Sequence, residues 1–161
     1  MDVLENMVIL YFDGLCEPKN PSGVATYGYV VYKGCNKIHE GYGLVGAGMF
    51  GDDVSNNVAE YTAMIRGLEY LISFGYNIDV IVRGDSQLTI KQMQGKYAVR
   101  AKRLIKLHEK ANALRKTIQK IAFEWVPREN NEEADLLSRR AFEEFLASHR
   151  MDYEKYYKMN L

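Results

Sequence analysis

No run of about 18 consecutive apolar residues occurs anywhere in the 161, which excludes a membrane-spanning helix of ordinary length. The start of the chain, Met1-Asp2-Val3-Leu4-Glu5-Asn6-Met7, is acidic and lacks a basic stretch followed by an apolar one, so no secretory leader is expected. Cysteine is scarce: Cys16 and Cys35 are too few for a disulfide framework and show no paired metal-ligand spacing. They read as two reduced thiols in a cytoplasmic protein. The three histidines, His39, His108 and His149, stand far apart, which argues against a zinc centre. There are three prolines, all where loops are expected, and neither an internal repeat nor a low-complexity tract. Net charge is absent too: 21 basic residues balance 21 acidic ones. Taken at face value, that balance argues against a polyanionic partner.

What is present is an ordinary globular composition, 47% hydrophobic and 26% charged, of a length that suits one domain. Val8–Phe12 is a continuous apolar run that reads as a strand buried on both faces. Leu15–Gly23, with its prolines and Asn20, reads as a loop. Thr26–Lys33 is a Tyr- and Val-rich strand ending in a turn at Lys33-Gly34-Cys35-Asn36. Lys37–Met49 alternates but is dotted with glycines, which predicts an irregular edge strand. The period then changes. Asn57–Ser73 reads as a helix, Asn77–Arg83 as a strand, Ser86–Met93 as a short helix and Arg100–Lys120 as a longer one. Ile121–Val126 is the last strand and Asn131–His149 the last helix. Three leading strands predict an antiparallel meander, and the later alternation predicts parallel pairing through right-handed crossovers. The expected fold class is α/β, a five-stranded mixed sheet flanked by helices on both faces.

Four carboxylates fall at telling places in this pattern. Asp13 and Asp85 end strands, where ligands gather in α/β sheets. Glu60 and Asp135 lie near helix starts. Each has an ordinary structural explanation. Asn57 to Glu60 has capping-box spacing, Asp85 could cap a helix, Asp135 could complement a helix dipole, and Asp13-Gly14 could open a turn. Spacing alone leaves open whether the four meet. If they do, their repulsion calls for a hard divalent cation with oxygen ligands.

The stretches Tyr11-Phe12-Asp13-Gly14, Ser55-Asn56-Asn57-Val58-Ala59-Glu60-Tyr61, Arg83-Gly84-Asp85-Ser86-Gln87 and Trp125-Val126-Pro127 with Asn131-Glu132-Glu133-Ala134-Asp135 resemble, in order, the four motifs of type 1 ribonuclease H. The likeness runs from about Val8 to about Ala147. It implies a catalytic domain over residues 1–147, a ribonuclease H-like fold, and an endonuclease that cuts the RNA strand of RNA–DNA hybrids, leaving 5′-phosphate and 3′-hydroxyl ends. It also implies two Mg²⁺ ions, with Mn²⁺ as the substitute, held by Asp13, Glu60, Asp85 and Asp135. Gly14, Ser55, Asn56, Asn57 and Gln87 match positions that contact the hybrid. Amides suit a 2′-hydroxyl, because they both donate and accept. A superfamily nuclease acting on DNA, of resolvase or integrase type, and the ribonuclease H domain of a reverse transcriptase are the competing readings.

The chain departs from the family in two ways. Many members have a histidine in the loop before the last helix; here Pro127-Arg128-Glu129-Asn130-Asn131 has none. Arg128 cannot accept a proton, so it is expected to aid catalysis electrostatically. The stretch Met93–Val99 resembles the short connection of members without a basic handle. Lys96–Lys120 compensates, with nine basic residues against the single acid Glu109, and so carries +8 while the rest of the chain carries −8. Lys102 and Arg103 in that segment are the expected phosphate contacts. Residues 148–161 form a Tyr-rich tail, expected to pack back on the domain or to pair with another chain. The chain is expected to act as a monomer.

Overall fold

The computed structural model describes residues 6–160. The acidic residues 1–5, on which the expectation of no leader partly rests, lie outside them. The elements run β1 (Val8–Glu17), β2 (Val24–Lys33), β3 (Asn36–Ala47), α1 (Asn56–Ser73), β4 (Asp79–Gly84), α2 (Gln87–Met93), α3 (Lys102–Arg115), β5 (Lys120–Trp125) and α4 (Glu132–Asn160). The five strands form one sheet in the order β3-β2-β1-β4-β5. β1, β2 and β3 pair antiparallel, whereas β1–β4 and β4–β5 pair parallel. This is the expected mixed sheet, with glycine-dotted β3 at its edge and register shifts in its pairing.

Alternation along β1 sends its side chains to two different layers. Leu10 and Phe12 are fully buried with Val82, Tyr61, Met64 and Leu68, in the core beneath α1. Asp13 pairs with Gly28, and cross-strand partners share a face. A Cβ on Gly28 would stand 2.5 Å from the Ala134 carbonyl oxygen of α4. The bare glycine therefore lets α4 lie directly on the sheet, and Thr26 Oγ1 donates to the Ser138 carbonyl at 2.7 Å beside it. Asp13 thus opens onto the face that α4 covers.

Three element boundaries differ from the sequence reading by more than two residues. First, Leu15–Glu17 continues β1 rather than starting a loop, because Leu15 and Cys16 are buried and pair with Thr26 and Ala25. Asp13-Gly14 is therefore inside a strand, not at a turn. Second, α3 covers Lys102–Arg115, shorter than Arg100–Lys120. Its last turn closes through Thr117 and Ile118 N–H groups bonding to the Leu114 and Arg115 carbonyls, and Gln119 N–H then reaches Asn77. Ile118 is buried outside the helix, so its helical spacing misled. Third, α4 does not end at His149. It kinks there, at φ −132° and ψ 22°, and continues to Asn160.

The Tyr-rich tail is thus helical, and it folds back onto its own chain. Tyr157 is buried with Val24, Ala47 and Phe145 in a satellite core, and Tyr153 and Tyr156 pack against it. Cys16 is buried, Cys35 is exposed, and both are free thiols. Among the described residues, no helix is long and apolar enough to cross a membrane.

Candidate active site

The four carboxylates line one cleft beside the second half of β1 and the carboxyl end of β4, together with Gly14, Asn56, Trp125, Arg128 and Arg139. Asp13 arrives from β1 on the α4 side. Glu60 arrives from α1, which comes close because Gly14 has no side chain: a Cβ there would stand 2.4 Å from the Ala59 carbonyl carbon and the Glu60 nitrogen. The N-cap of α1 is Ser55, whose hydroxyl accepts from Val58 N–H at 3.1 Å. Glu60 is therefore not at the capping-box position, and that explanation of it falls away. Asp85 likewise is not a cap. Ser86 caps α2 by accepting from Thr89 N–H at 3.2 Å, which leaves the Asp85 carboxylate for the cleft.

Carboxylate oxygens of Asp13, Glu60 and Asp85 all lie within 4.8 Å of one another. Asp13 and Glu60 are buried, 6% and 3% exposed. Glu60 Oε2 is buried without a hydrogen-bond partner. Burial, followed by the negative charge of Asp85, pushes the Asp13 carboxyl up to about 8. Burial, then Asp13, raises Glu60 well above the carboxylate range. Asp85 is also raised by burial, against the opposing positive charge of Arg128. Three acids this close cannot all ionise without a compensating charge. A buried set of hard oxygens with an unmatched acceptor fits a divalent cation of the Mg²⁺ class.

Asp135 stands beside this trio rather than within it, and acts on both Asp13 and Asp85 electrostatically. Its position follows from the start of α4. Asn131, 2% exposed, donates from Nδ2 to the Phe12 carbonyl at 2.8 Å and so ties the helix start to the strand that carries Asp13. Asp135 N–H bonds back to the Asn131 carbonyl at 3.2 Å, and Arg139 Nε lies 3.6 Å from Asp135 Oδ1.

The other expected contacts are spread around the cleft. Asn56 lines it, while Ser55 and Asn57 sit beside it at the start of α1. Gln87 is exposed at the first position of α2. Lys102 and Arg103, both exposed, open α3 outside the cleft. Arg103 Nη2 pairs with Asp53 at 2.9 Å, which sets the start of α3 beside the start of α1.

Sequence reasoning assigned no role to Asn131, Arg139, Glu17 or Trp125. Glu17 Oε1 lies 3.5 Å from Arg139 Nη1, and Trp125 Nε1 donates to the Asp85 carbonyl at 3.1 Å. Asn131 lay within a quoted motif, and only its burial reveals its task. The i,i+4 spacing of Asp135 and Arg139 on a helix was a usable signal.

Comparison with known proteins identifies the family. The model of the Reverse transcriptase-like family matches residues 12–141. The crystal structure of RNase H1 from Halobacterium salinarum superposes with a TM-score of 0.77 at 32% identity, covering 86% of this chain and 99% of that one. LC11-RNase H1, solved in complex with an RNA/DNA hybrid, gives a TM-score of 0.76 at 35% identity over 86% and 99% of the two chains. A bifunctional protein of Mycobacterium tuberculosis is 39% identical over 89 residues, 55% of this chain. The chain spans only 24% of that relative's length, and 63% of the length of the Halobacterium salinarum ribonuclease HI, to which it is 36% identical over 137 residues. Since it matches almost the whole of two solved RNase H1 chains at these identities and carries the family model across its sheet, this protein belongs to the type 1 ribonuclease H family.

Proposed function

We propose that the chain is a metal-dependent endonuclease that hydrolyses the RNA strand of RNA–DNA hybrids, leaving 5′-phosphate and 3′-hydroxyl ends. The observation that carries this reading is the Asp13–Glu60–Asp85 cluster, with its orphaned Glu60 oxygen. LC11-RNase H1, a relative of this chain, was solved with such a hybrid bound.

Asp13, Glu60, Asp85 and Asp135 would hold two Mg²⁺ ions, with Mn²⁺ as the substitute. Such ions supply an activated water and charge stabilisation for the leaving 3′ oxygen. The protein's own part is to keep the carboxylates rigid on the sheet and near helix starts, so that little reorganisation is needed when ions and substrate arrive. Arg128, beside Asp85, adds positive charge where a phosphate would sit, but it cannot shuttle a proton. Gly14 lets the RNA backbone approach closely. Ser55, Asn56, Asn57 and Gln87 would read the 2′-hydroxyls and phosphates of the hybrid, and Lys102 and Arg103 would extend the phosphate track. In this reading residues 1–147 are the catalytic domain, residues 148–161 are a tail appended to it, and the chain works as a cytoplasmic monomer.

The test is cleavage of a labelled RNA–DNA hybrid with Mg²⁺, Mn²⁺ or EDTA, beside double-stranded RNA and DNA. Hybrid-specific, metal-dependent cleavage that Asp85→Asn abolishes is the expected result. Cutting of duplex DNA alone would favour the resolvase-like reading. No metal-dependent hybrid cleavage would overturn the proposal.

A further inference from the structure

Tyr157 lies beyond the kink in α4 and is 1% exposed. Its ring fills the satellite core, a task that phenylalanine could perform. Its hydroxyl donates to the Ser22 carbonyl at 3.0 Å and accepts from Met49 N–H at 3.4 Å. Ser22 is the one non-glycine among the described residues at a left-handed backbone angle, φ 75°. That conformation is costly for serine and persists only where neighbours hold it. Two contacts do so: Ser22 N–H donates to the Val54 carbonyl at 2.9 Å, and the Ser22 carbonyl takes the Tyr157 hydroxyl.

The loop that Tyr157 grips, Pro18–Gly23, runs to the start of β2 from Glu17, the last β1 residue, which lines the carboxylate cleft. Besides the bonds of Ser22 to Val54 and of Gly48 N–H to the Gly23 carbonyl, the loop is tied by Asn20, whose Oδ1 accepts from Asn56 N–H at 2.9 Å. A helix start leaves several N–H groups without internal partners. Ser55 takes one of them and Asn20 takes that of Asn56. Asn56 is in turn the α1 amide that lines the cleft. A continuous set of contacts therefore links the C-terminal extension to a residue at the cleft edge.

We infer that Tyr157 is a positioning residue for the substrate: its hydroxyl fixes the Pro18–Gly23 loop, and through Asn20 that loop fixes Asn56 at the hybrid-facing edge of the cleft. The substrate part rests on the function proposed above. The C-terminal extension is thereby a brace for the binding groove as well as added core.

Tyr157→Phe in the full chain tests this, since it keeps the ring and removes only the hydroxyl. KM for the hybrid is expected to rise about fivefold, the size of one lost hydrogen bond, with kcat unchanged. Asn20→Ala should give the same split. The double variant should be no worse than Asn20→Ala alone, because the two act in series. Amide hydrogen exchange at Asn56, measured on the metal-free chain, should be faster in Tyr157→Phe. Unchanged KM in Tyr157→Phe, additive effects in the double variant, or unaltered exchange at Asn56 would each overturn the inference. If the parent chain cuts no hybrid, the proposed function fails, while the exchange measurement still decides whether Tyr157 braces Asn56.

Discussion

Gly14 lies with its bare α-carbon against the peptide that joins Ala59 to Glu60, so close that a Cβ would stand 2.4 Å from both the carbonyl carbon and the nitrogen. Those are backbone atoms of a helix and cannot swing aside. Gly14→Ala must push α1 from the sheet and carry the Glu60 carboxylate with it. Overpacking of this kind costs about 1–3 kcal/mol. The expected outcome is a lower melting temperature together with weakened divalent-ion binding, read by thermal unfolding with and without Mg²⁺.

The cluster also sets how the protein responds to pH. Asp13 ionises near its ordinary 3.8 when unfolded and at about 8 in the fold, chiefly because it is buried and then because Asp85 is near. The folded chain therefore binds more protons than the unfolded one between these values. Stability that is fully present below the lower value is lost as pH rises through the upper one. Without metal, melting temperature should fall from mildly acidic pH toward pH 8, and Mg²⁺ should reverse the fall. Asp13→Asn should raise the metal-free melting temperature at pH 8 and remove the Mg²⁺-induced shift. A flat pH profile in the parent chain would contradict this account.

Arg128 is exposed and lies where its charge favours ionised Asp85. In the proposed mechanism it stabilises charge rather than moving protons. Arg128→Ala should lower kcat about tenfold at saturating metal, less than the roughly hundredfold or more of a buried preorganised donor because Arg128 is exposed, with the pH profile otherwise retained. Arg128→Lys should restore part of the rate. Steady-state kinetics on a defined hybrid measure both.

Lys102 and Arg103 open α3 outside the carboxylate cleft. Reversing both to Glu should raise KM and flatten the dependence of binding on salt, because phosphate contacts release counterions. The Arg103–Asp53 pair lost in the process is exposed, with side chains 37% and 69% accessible. Pairs of that kind contribute at most about 1 kcal/mol, so the variant should remain folded. Hybrid binding at several salt concentrations, beside a melting curve, separates the two effects.

Much of this site was legible from the order of residues. Spacing alone leaves open whether the four acids meet; it is the resemblance of four ordered stretches to one family that points them, with their neighbouring amides, to one locus. The glycines behind the geometry were less legible. Gly28 and Gly14 matter through what approaches them, and close approach leaves no trace in periodicity. Ile118 shows the converse: an apolar residue at helical spacing that is buried from a turn. The sequence reading ends the last helix at His149, where the chain does kink; what it misses is the helix beyond, whose buried face meets Val24 and Ala47, residues far away in sequence. Asn131 and Tyr157 bond to Phe12 and Ser22, partners more than a hundred positions distant, and such pairs are visible only once the chain has closed on itself.

Trp125 is the only tryptophan in the chain, 45% exposed, with its indole N–H on the carbonyl of Asp85. All of the protein's tryptophan emission therefore originates at the edge of the carboxylate cleft. On the proposed function, an ion entering the cleft would alter the field at that indole, and a nucleobase stacked on it would quench it. The protein thus carries its own optical probe, so occupancy of the cleft can be followed by fluorescence titration or stopped flow, without a label and on variants that no longer turn over.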